Sequence, residues 1–404
     1  MMVGYPHTQI CADAIEEATS SSMAVKGRKN LDKARPFGLK YEAFETKKSE
    51  DSGIEASGDD ENIFQGGKTE MADYVVVDTH HHFLPREAAQ YARKTDEIDY
   101  LFGLKRFSTG YNLMQDIERT LAYMEESGIH MALLSESAWS LNGLEACKAI
   151  NDGYVKVQRE YPGKFITCAH LPIHEGPPAI DELKRSIEVL GLQGVTLMSS
   201  YAHMAIDSET MMPFYEKISE YQIPIVLHPT LRRPLWGGVK YDLSTTVSRE
   251  YDIAKTVVEI IYGVLNRYPD LKFLVSHFGG GMPILKWRLI SSHQPDGWEL
   301  PEDIRGHALT PRELKERGLW QDFHRQFDKI YFDSAGFGGS MVAMRAAADT
   351  IRRDRITFGT DYPLEFRNPN DARDYIADIK SLEIPENDKR NILGQNVLEL
   401  FKIG

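Results

Sequence analysis

The chain has 404 residues, of which 42% are hydrophobic and 26% are charged, a composition that predicts a globular protein of one large or two average domains. The formal net charge of −13, without a Lys/Arg cluster among aromatic residues, argues against nucleic acid as a partner. An odd number of cysteines (Cys11, Cys147 and Cys168) without CxxC spacing argues against a disulfide framework and a thiolate metal site. No apolar run is long enough to span a membrane and the acidic N-terminus is unlike a signal peptide, so we expect a cytoplasmic protein.

Residues 1–70 differ in composition from the rest of the chain. Between Tyr41 and Glu70 there are nine acidic and three basic residues, and Ser/Gly-rich pieces such as "SEDSGIEASGDDEN" bring little hydrophobic surface. A segment of this composition cannot bury enough apolar area to order itself. We therefore predict a poorly ordered extension over 1–70 and a compact domain over 71–404.

From Tyr74 onward, short apolar strands alternate with segments of helical periodicity. The predicted strands are residues 74–79, 131–135, 165–171, 194–199, 223–228, 272–277, 329–334 and 355–360. Eight strand and helix units in about 330 residues are the count of a (β/α)8 barrel of the TIM type, in which parallel strands are joined by right-handed helical crossovers. A doubly wound open sheet is the alternative. The long stretch from Ser291 to Phe327 predicts an insertion between strands six and seven that acts as a lid or an oligomer contact.

Polar side chains stand at the ends of four of these strands, where a barrel of this type carries its chemistry. A single histidine at such a place is usually structural. Four strand ends that all carry metal-binding groups at the same end of the barrel are unlikely to arise by chance. Alternation along the first strand puts His80 and His82 on one face and His81 on the other. The groups that should converge are those of "DTHHH", "LHP", "SHFGGG" and "GTDYP", namely His80, His82, His228, His277 and Asp361.

These four motifs, in this order and spacing, resemble the amidohydrolase superfamily, in particular the branch with aminocarboxymuconate semialdehyde decarboxylase and related aromatic-acid decarboxylases. The resemblance covers about residues 73–402. It implies that His80, His82, His228 and Asp361 bind a divalent metal ion and that His277 acts as an acid/base beside it. The fourth strand, "GVTLMSS", lacks the lysine that bridges two metals in binuclear relatives, so one ion is expected. Zinc suits three imidazoles and a carboxylate, with manganese as the alternative.

Substrate contacts are harder to predict from sequence. Arg232 and Arg233 follow strand five and Arg367 follows strand eight, so each is a candidate partner for a substrate carboxylate, although an arginine is more often a surface residue. Trp236 is a candidate to stack on a planar ring. Asp78 is expected to be structural, lying deeper in the barrel than His80 and His82.

Two reactions remain open at this point. The first is non-oxidative decarboxylation of a small aromatic or unsaturated carboxylic acid, with protonation by His277 or Asp361. The second is hydrolysis of a lactone, amide or ester of a small cyclic substrate by activated water. Arginines facing the metal would favour the first, and a neutral apolar mouth would favour the second. We also expect a homo-oligomer, a dimer in the simplest case.

Overall fold

The computed structural model describes residues 74–91, 112–201, 204–230, 241, 243–292, 311–318 and 320–403. The predicted extension over 1–70, its boundary at residue 71 and much of the predicted insertion lie outside the described residues. So do the substrate-binding candidates Arg232, Arg233 and Trp236.

Eight parallel strands follow one another around a single sheet in chain order. They are β1 (Val77–His82), β2 (Met131–Ser135), β3 (Phe165–His170), β4 (Gly194–Met198), β5 (Ile225–His228), β6 (Phe273–Val275), β7 (Tyr331–Asp333) and β8 (Ile356–Thr357). Backbone hydrogen bonds of 2.8 Å from Thr79 N to Phe358 O and from His82 N to Tyr362 O connect the first strand to the segment around the eighth. The sheet therefore closes on itself, which confirms the (β/α)8 barrel and rules out the open doubly wound sheet.

Helices connect the strands and, apart from the last one, cover the outside of the barrel. They are α1 (Ile117–Ser127), α2 (Leu144–Glu160), α3 (Pro177–Lys184), α4 (Met212–Tyr221), α5 (Val247–Glu259), α6 (His277–Ser292), α7 (Pro311–Glu316), α8 (Phe323–Phe327), α9 (Met341–Thr350), α10 (Pro369–Lys380), α11 (Glu386–Arg390) and α12 (Asn396–Leu400). Short π-helical turns continue α3, α5 and α11 over Arg185–Val189, Ile260–Val264 and Asn391–Gln395. Single 3-10 turns lie at Arg86–Tyr91, Ser137–Asn142, Ile173–Glu175, Glu209–Met211, Leu243–Thr245 and Arg353–Arg355, and Ser200–Tyr201 pairs with Met204–Ala205 as a small hairpin.

The apolar core has two parts, as expected for strands that are buried on both faces. A large cluster lies between the strands and the helices. A smaller one brings inward residues of six strands together with the last helix, where Val397, Leu400 and Phe401 pack against Val77 and Leu133. The C-terminal helix therefore fills the bottom of the barrel, and the opposite mouth, at the carboxyl ends of the strands, is left for polar groups.

The first strand carries a local irregularity that changes one expectation. Strand β1 contains the histidines, whereas the sequence placed them just beyond a strand over 74–79. Pairing with β2 shifts between Asp78 and His81, so that β1 has one residue more than its partner over this interval. The extra residue breaks the alternation, and Asp78 Oδ2 lies 2.9 Å from His81 Nδ1, although strict alternation would put these two side chains on opposite faces.

Among the described residues, no helix combines the length and the apolar character that crossing a bilayer requires.

Candidate metal centre

The predicted ligands meet at the carboxyl ends of the strands. His80 and His82 come from β1, His228 ends β5, and one ring nitrogen of each lies within 4.8 Å of the other two. Asp361 follows β8, and its Oδ1 lies 3.0 Å from His82 Nε2 and 3.6 Å from His80 Nε2. Three imidazoles and one carboxylate thus converge from three separate parts of the chain.

The imidazoles share one orientation, because each of them uses Nδ1 to contact an oxygen away from the centre. His80 Nδ1 lies 2.9 Å from Asp333 Oδ2, and His228 Nδ1 lies 3.0 Å from the carbonyl oxygen of Pro229. His82 Nδ1 lies 3.1 Å from the carbonyl oxygen of Ser135. An Nδ1–H donated to such an oxygen leaves Nε2 as the nitrogen with a free lone pair.

The charges within the cluster set the protonation of its members when no metal is bound. Burial alone would lower the pKa of His82, but contacts with Asp361 and Glu136 outweigh burial and raise that pKa to about 10. Burial and the neighbouring histidines hold the pKa of His228 well below its ordinary value. For Asp361, burial is opposed by the His82 contact and the charges of His80, His82 and Arg249, which hold its pKa well below the ordinary range. Asp361 is therefore a carboxylate.

Asp333, at the end of β7, supports both sides of the centre and was not predicted. Its Oδ2 contacts His80 Nδ1, and its Oδ1 accepts hydrogen bonds from the backbone nitrogens of His277 (2.8 Å) and Ala335 (3.1 Å). Asp333 is fully buried, and although burial opposes it, the charge of His80 lowers the pKa of Asp333. One carboxylate therefore orients a predicted metal ligand and fixes the backbone of the predicted acid/base.

Glu136 plays a similar part for His82 and was also missed. It follows β2, and its Oε2 lies 3.1 Å from His82 Nδ1. Its backbone nitrogen donates to His170 Nε2 at 2.9 Å, and burial lowers the pKa of His170 to about 3, so this imidazole is a neutral acceptor. His170 acts as a structural support for the segment that carries Glu136.

His277 lies beside the predicted ligands and is held on several sides. Its ring stacks on that of His80 with 5.1 Å between centroids, and its Nδ1 lies 2.8 Å from Glu250 Oε1. Gly336 packs on its other face so closely that a Cβ there would be 2.4 Å from His277 Cγ. His277 is fully buried, and within the described part of the chain its Nε2 has no hydrogen-bond partner.

Gly280, three residues after His277, packs closely against helix α5. A Cβ on Gly280 would lie 2.1 Å from the carbonyl oxygen of Glu250 and 2.7 Å from Ile253 Cγ2. Gly280 also has a φ of +69°, which side chains rarely adopt. Glycine at this position lets the first turn of α5 lie directly against the non-helical start of α6, which carries His277.

The first turn of α5 brings Arg249 and Glu250 to the centre, and the strand-end pattern in the sequence did not predict either of them. Arg249 Nε donates to Glu250 Oε1 at 3.1 Å, and its Nη2 lies 3.8 Å from Asp361 Oδ2. The Arg249 side chain is only 12% exposed. A guanidinium thus stands next to the predicted metal ligand Asp361.

The donor set fits one divalent ion. Three imidazole nitrogens and one carboxylate oxygen are the ligand types that zinc and related ions take in catalytic sites, with room left for a further ligand. Among the described residues, the buried His80 Nε2 has no hydrogen-bond partner, and a lone pair without a partner in a buried polar cluster is what a cation would satisfy. His80, His277 and Asp361 form a second group whose potential ligand atoms lie within 4.8 Å of one another.

The remaining predicted substrate residue, Arg367, lies at the surface. It is exposed, and its Nε donates to the carbonyl oxygen of Pro363 at 3.0 Å. Its role in substrate binding stays a prediction, as do those of Arg232, Arg233 and Trp236.

A signal for two of the missed residues was present in the sequence. Asp333 ends the predicted strand "KIYFDS" and Glu136 follows "MALLS", so both satisfy the strand-end rule that selected the histidines. Arg249 and Glu250 lie on a helix about twenty residues after His228, where no strand-end rule applies.

A family model described as amidohydrolase matches residues 77–403. The chain is 26% identical over 306 residues to gamma-resorcylate decarboxylase from a Polaromonas species, covering 71% of this chain and 87% of the relative. It is also 26% identical over 269 residues to 2-amino-3-carboxymuconate-6-semialdehyde decarboxylase from Dictyostelium discoideum, covering 64% of this chain and 67% of the relative. The resemblance that the motifs implied is confirmed.

A solved structure with the same fold is 5-carboxyvanillate decarboxylase from Novosphingobium aromaticivorans, complexed with manganese and 4-hydroxy-3-methoxy-5-nitrobenzoic acid. Its TM-score is 0.70 at 19% sequence identity, and the match covers 81% of this chain and 96% of that one.

Proposed function

The chain belongs to the amidohydrolase family, and from this premise we propose that it is a metal-dependent non-oxidative decarboxylase of a small aromatic or unsaturated carboxylic acid. The observation that carries the proposal is the cluster of His80, His82, His228 and Asp361 with His277 beside it. The relatives named as decarboxylases support the choice of reaction.

The residues of the centre have separate roles in this reaction. His80, His82, His228 and Asp361 hold a divalent ion, which when bound polarises substrate oxygens and fixes the substrate in place. His277, with Nδ1 tied to Glu250, presents Nε2 to the substrate carbon that bears the carboxylate. Asp361 is kept ionised, which favours His277 over Asp361 as the proton donor.

The reaction balances without an oxidant or a reductant. In its doubly protonated form, with Nδ1–H held by Glu250, His277 gives its Nε2 proton to the carbon that bears the carboxylate, which forms a new C–H bond there, and the ring regains a proton from water after turnover. The C–C bond to the carboxylate then breaks, its electron pair restores the unsaturation of the substrate, and CO₂ leaves. Burial of His277 and Asp361 excludes bulk water from this step.

We propose zinc as the ion, because three imidazoles and a carboxylate are ordinary zinc ligands. Manganese is the competing ion, and it is present in the solved 5-carboxyvanillate decarboxylase. Elemental analysis of protein purified from medium that contains both metals tests the choice, and a preparation with manganese alone that is fully active would contradict zinc.

The test of the reaction is a substrate panel. The protein, reconstituted with the ion found by elemental analysis, is incubated with hydroxybenzoates, unsaturated semialdehyde acids, lactones and simple esters. We expect CO₂ release from a member of the first two groups and no ring opening of the lactones. Turnover of a lactone or ester without CO₂ release would instead establish a hydrolase. His228→Ala, which removes a predicted ligand, is the variant that should abolish either activity.

We further propose that the chain acts as a homodimer in a reducing, cytoplasmic setting. The odd number of cysteines supports the compartment, and Cys147 and Cys168 are both buried. Light scattering of the purified protein tests the dimer.

A further inference from the structure

We propose that Arg249 binds the carboxylate group of the substrate, and that Glu250 fixes the positions of the Arg249 and His277 side chains relative to each other. The inference rests on the proposed decarboxylase function and adds the residue that recognises the acid. It gives the first turn of α5 a role in selecting carboxylic acids over the corresponding neutral phenols.

The position of Arg249 is the first support. Its Nε is used by Glu250, while Nη2 stands 3.8 Å from Asp361 Oδ2, which is beyond hydrogen-bond distance. A guanidinium has five N–H donors, so with respect to the described residues the edge that faces Asp361 keeps hydrogens for another acceptor. A carboxylate placed beside Asp361 can accept two of them in parallel.

The charge balance is the second support. Arg249 is always protonated and its side chain is largely enclosed, so it needs negative charge nearby. Asp361 shares its charge with a divalent ion when one is bound, and Glu250 is also in contact with His277. In the metal-loaded protein the described residues therefore give Arg249 no full counter-charge, and an anionic substrate group supplies it.

Glu250 provides the third support, because one oxygen atom serves both neighbours. Its Oε1 lies 3.1 Å from Arg249 Nε and 2.8 Å from His277 Nδ1. Glu250 thus fixes the position of the Arg249 guanidinium, which binds the carboxylate, relative to the His277 ring, which donates the proton. Gly280 makes the arrangement possible, since any Cβ there would collide with the Glu250 backbone and displace this turn of α5.

The experiment compares acids with the phenols that remain after loss of CO₂. Binding of 2,6-dihydroxybenzoate, salicylate and 4-hydroxybenzoate, and of resorcinol and phenol, is measured by calorimetry on the metal-reconstituted protein and on Arg249→Gln. We expect the wild type to prefer at least one acid over its phenol. Arg249→Gln should bind that acid about 10- to 100-fold more weakly, the cost of a charge-assisted pair, while the phenol binds as before.

The matched control is Arg352→Gln. Arg352 is an ion-paired, exposed arginine that precedes β8, at the end of the barrel away from the centre, and this variant should bind acid and phenol like the wild type. Arg249→Lys should fall between Arg249→Gln and wild type, since lysine keeps the charge but not the fork of donors.

Three results would overturn the inference: a wild type without preference for any acid, equal weakening of acid and phenol in Arg249→Gln, or loss of metal from that variant. Binding of an acid that depends on Arg249 but leads to no CO₂ release would leave this inference standing and contradict the decarboxylase.

Discussion

His277 is the residue whose role the centre defines most sharply. It stacks on His80, contacts Glu250 through Nδ1 and receives support from Asp333 at its backbone nitrogen. Because Nδ1 is used by Glu250, Nε2 is the ring nitrogen of His277 that is left for chemistry. The question at this scale is whether that nitrogen binds metal or moves a proton.

His277→Ala should keep the metal and lose most of kcat. Removing a positioned acid/base lowers the rate by about 10²–10⁴-fold, and the four predicted ligands remain in place. Metal content, Tm and kcat measured on this one variant distinguish the roles. His228→Ala is the comparison, because loss of a ligand should lower metal content and rate together. A His277→Ala protein without metal would make His277 a ligand, and one with normal turnover would leave protonation to Asp361.

The sequence could predict those side chains that end strands, because the barrel topology alone brings strand ends to one mouth. Asp361 and the four histidines were found in this way. Arg249 and Glu250 could not be found, since their approach depends on how closely α5 packs on Gly280. That packing is a property of three-dimensional contacts between segments that are distant in the chain.

At the scale of elements, the loop between β7 and α9 forms one wall of the site. Gly336 and Gly338 donate backbone hydrogen bonds of 2.8 and 2.6 Å to the carboxylate of Glu365, which lies in the turn that follows Asp361. The backbone nitrogen of Glu365 in turn donates to the carbonyl oxygen of Asp361 at 2.9 Å. The loops after β7 and β8 are therefore joined to each other beside His277.

Gly336→Ala should displace His277 and lower kcat well beyond its effect on stability. The new Cβ would meet His277 Cγ at 2.4 Å, and the residue has a φ of +82°. Gly163→Ala is the matched control, because Gly163 has a φ of +77° and open space around it. Both variants carry the same backbone strain, of about 1 kcal/mol or more. Equal losses of kcat in the two would show that the Gly336 contact does not position His277.

Strand and helix periodicity predicted the order of elements well, and the errors have local causes. The first strand was placed three residues early, because its end is set by pairing with β2 and by an extra residue between Asp78 and His81 that no pattern of hydrophobicity marks. The π-helical continuations of α3 and α5 likewise read as ordinary helix in sequence.

At the scale of the whole molecule, we predict about one divalent ion per chain and a stability that depends on it. An ion present at 100 times its Kd stabilises the folded protein by about 2.7 kcal/mol, so chelation should lower Tm and abolish activity. Elemental analysis and thermal melts with and without chelator are the measurements. Two ions per chain, or full activity after chelation, would contradict a single-metal centre.

Metal binding should also weaken as the pH falls. Without metal, His82 holds a proton below its raised pKa of about 10, and an ion that uses His82 must displace that proton. The apparent affinity should therefore rise with pH until His82 is deprotonated. Proton release on metal addition, followed with an indicator dye in weak buffer, checks the sign. A His82→Ala protein should release fewer protons, and equal release from both would exclude His82 as the source.

The domain boundary at residue 71, proposed from composition, can be tested by truncation. Residues 71–404 expressed alone should fold and show kcat and Tm close to those of the full chain, because the matched family region begins at residue 77. An insoluble or inactive product would place residues 1–70 within the fold or an essential interface.

The closure of the barrel has a consequence for how the protein is made. His82 Nε2 and Asp361 Oδ1 lie 3.0 Å apart, although His82 belongs to the first strand and Asp361, 279 positions later, follows the last one. During synthesis on the ribosome, the histidines of β1 emerge long before Asp361 exists, so a nascent chain has no complete set of ligands. The complete predicted ligand set can therefore form only late in synthesis, and a chain that stalls before residue 361 lacks the carboxylate of that set.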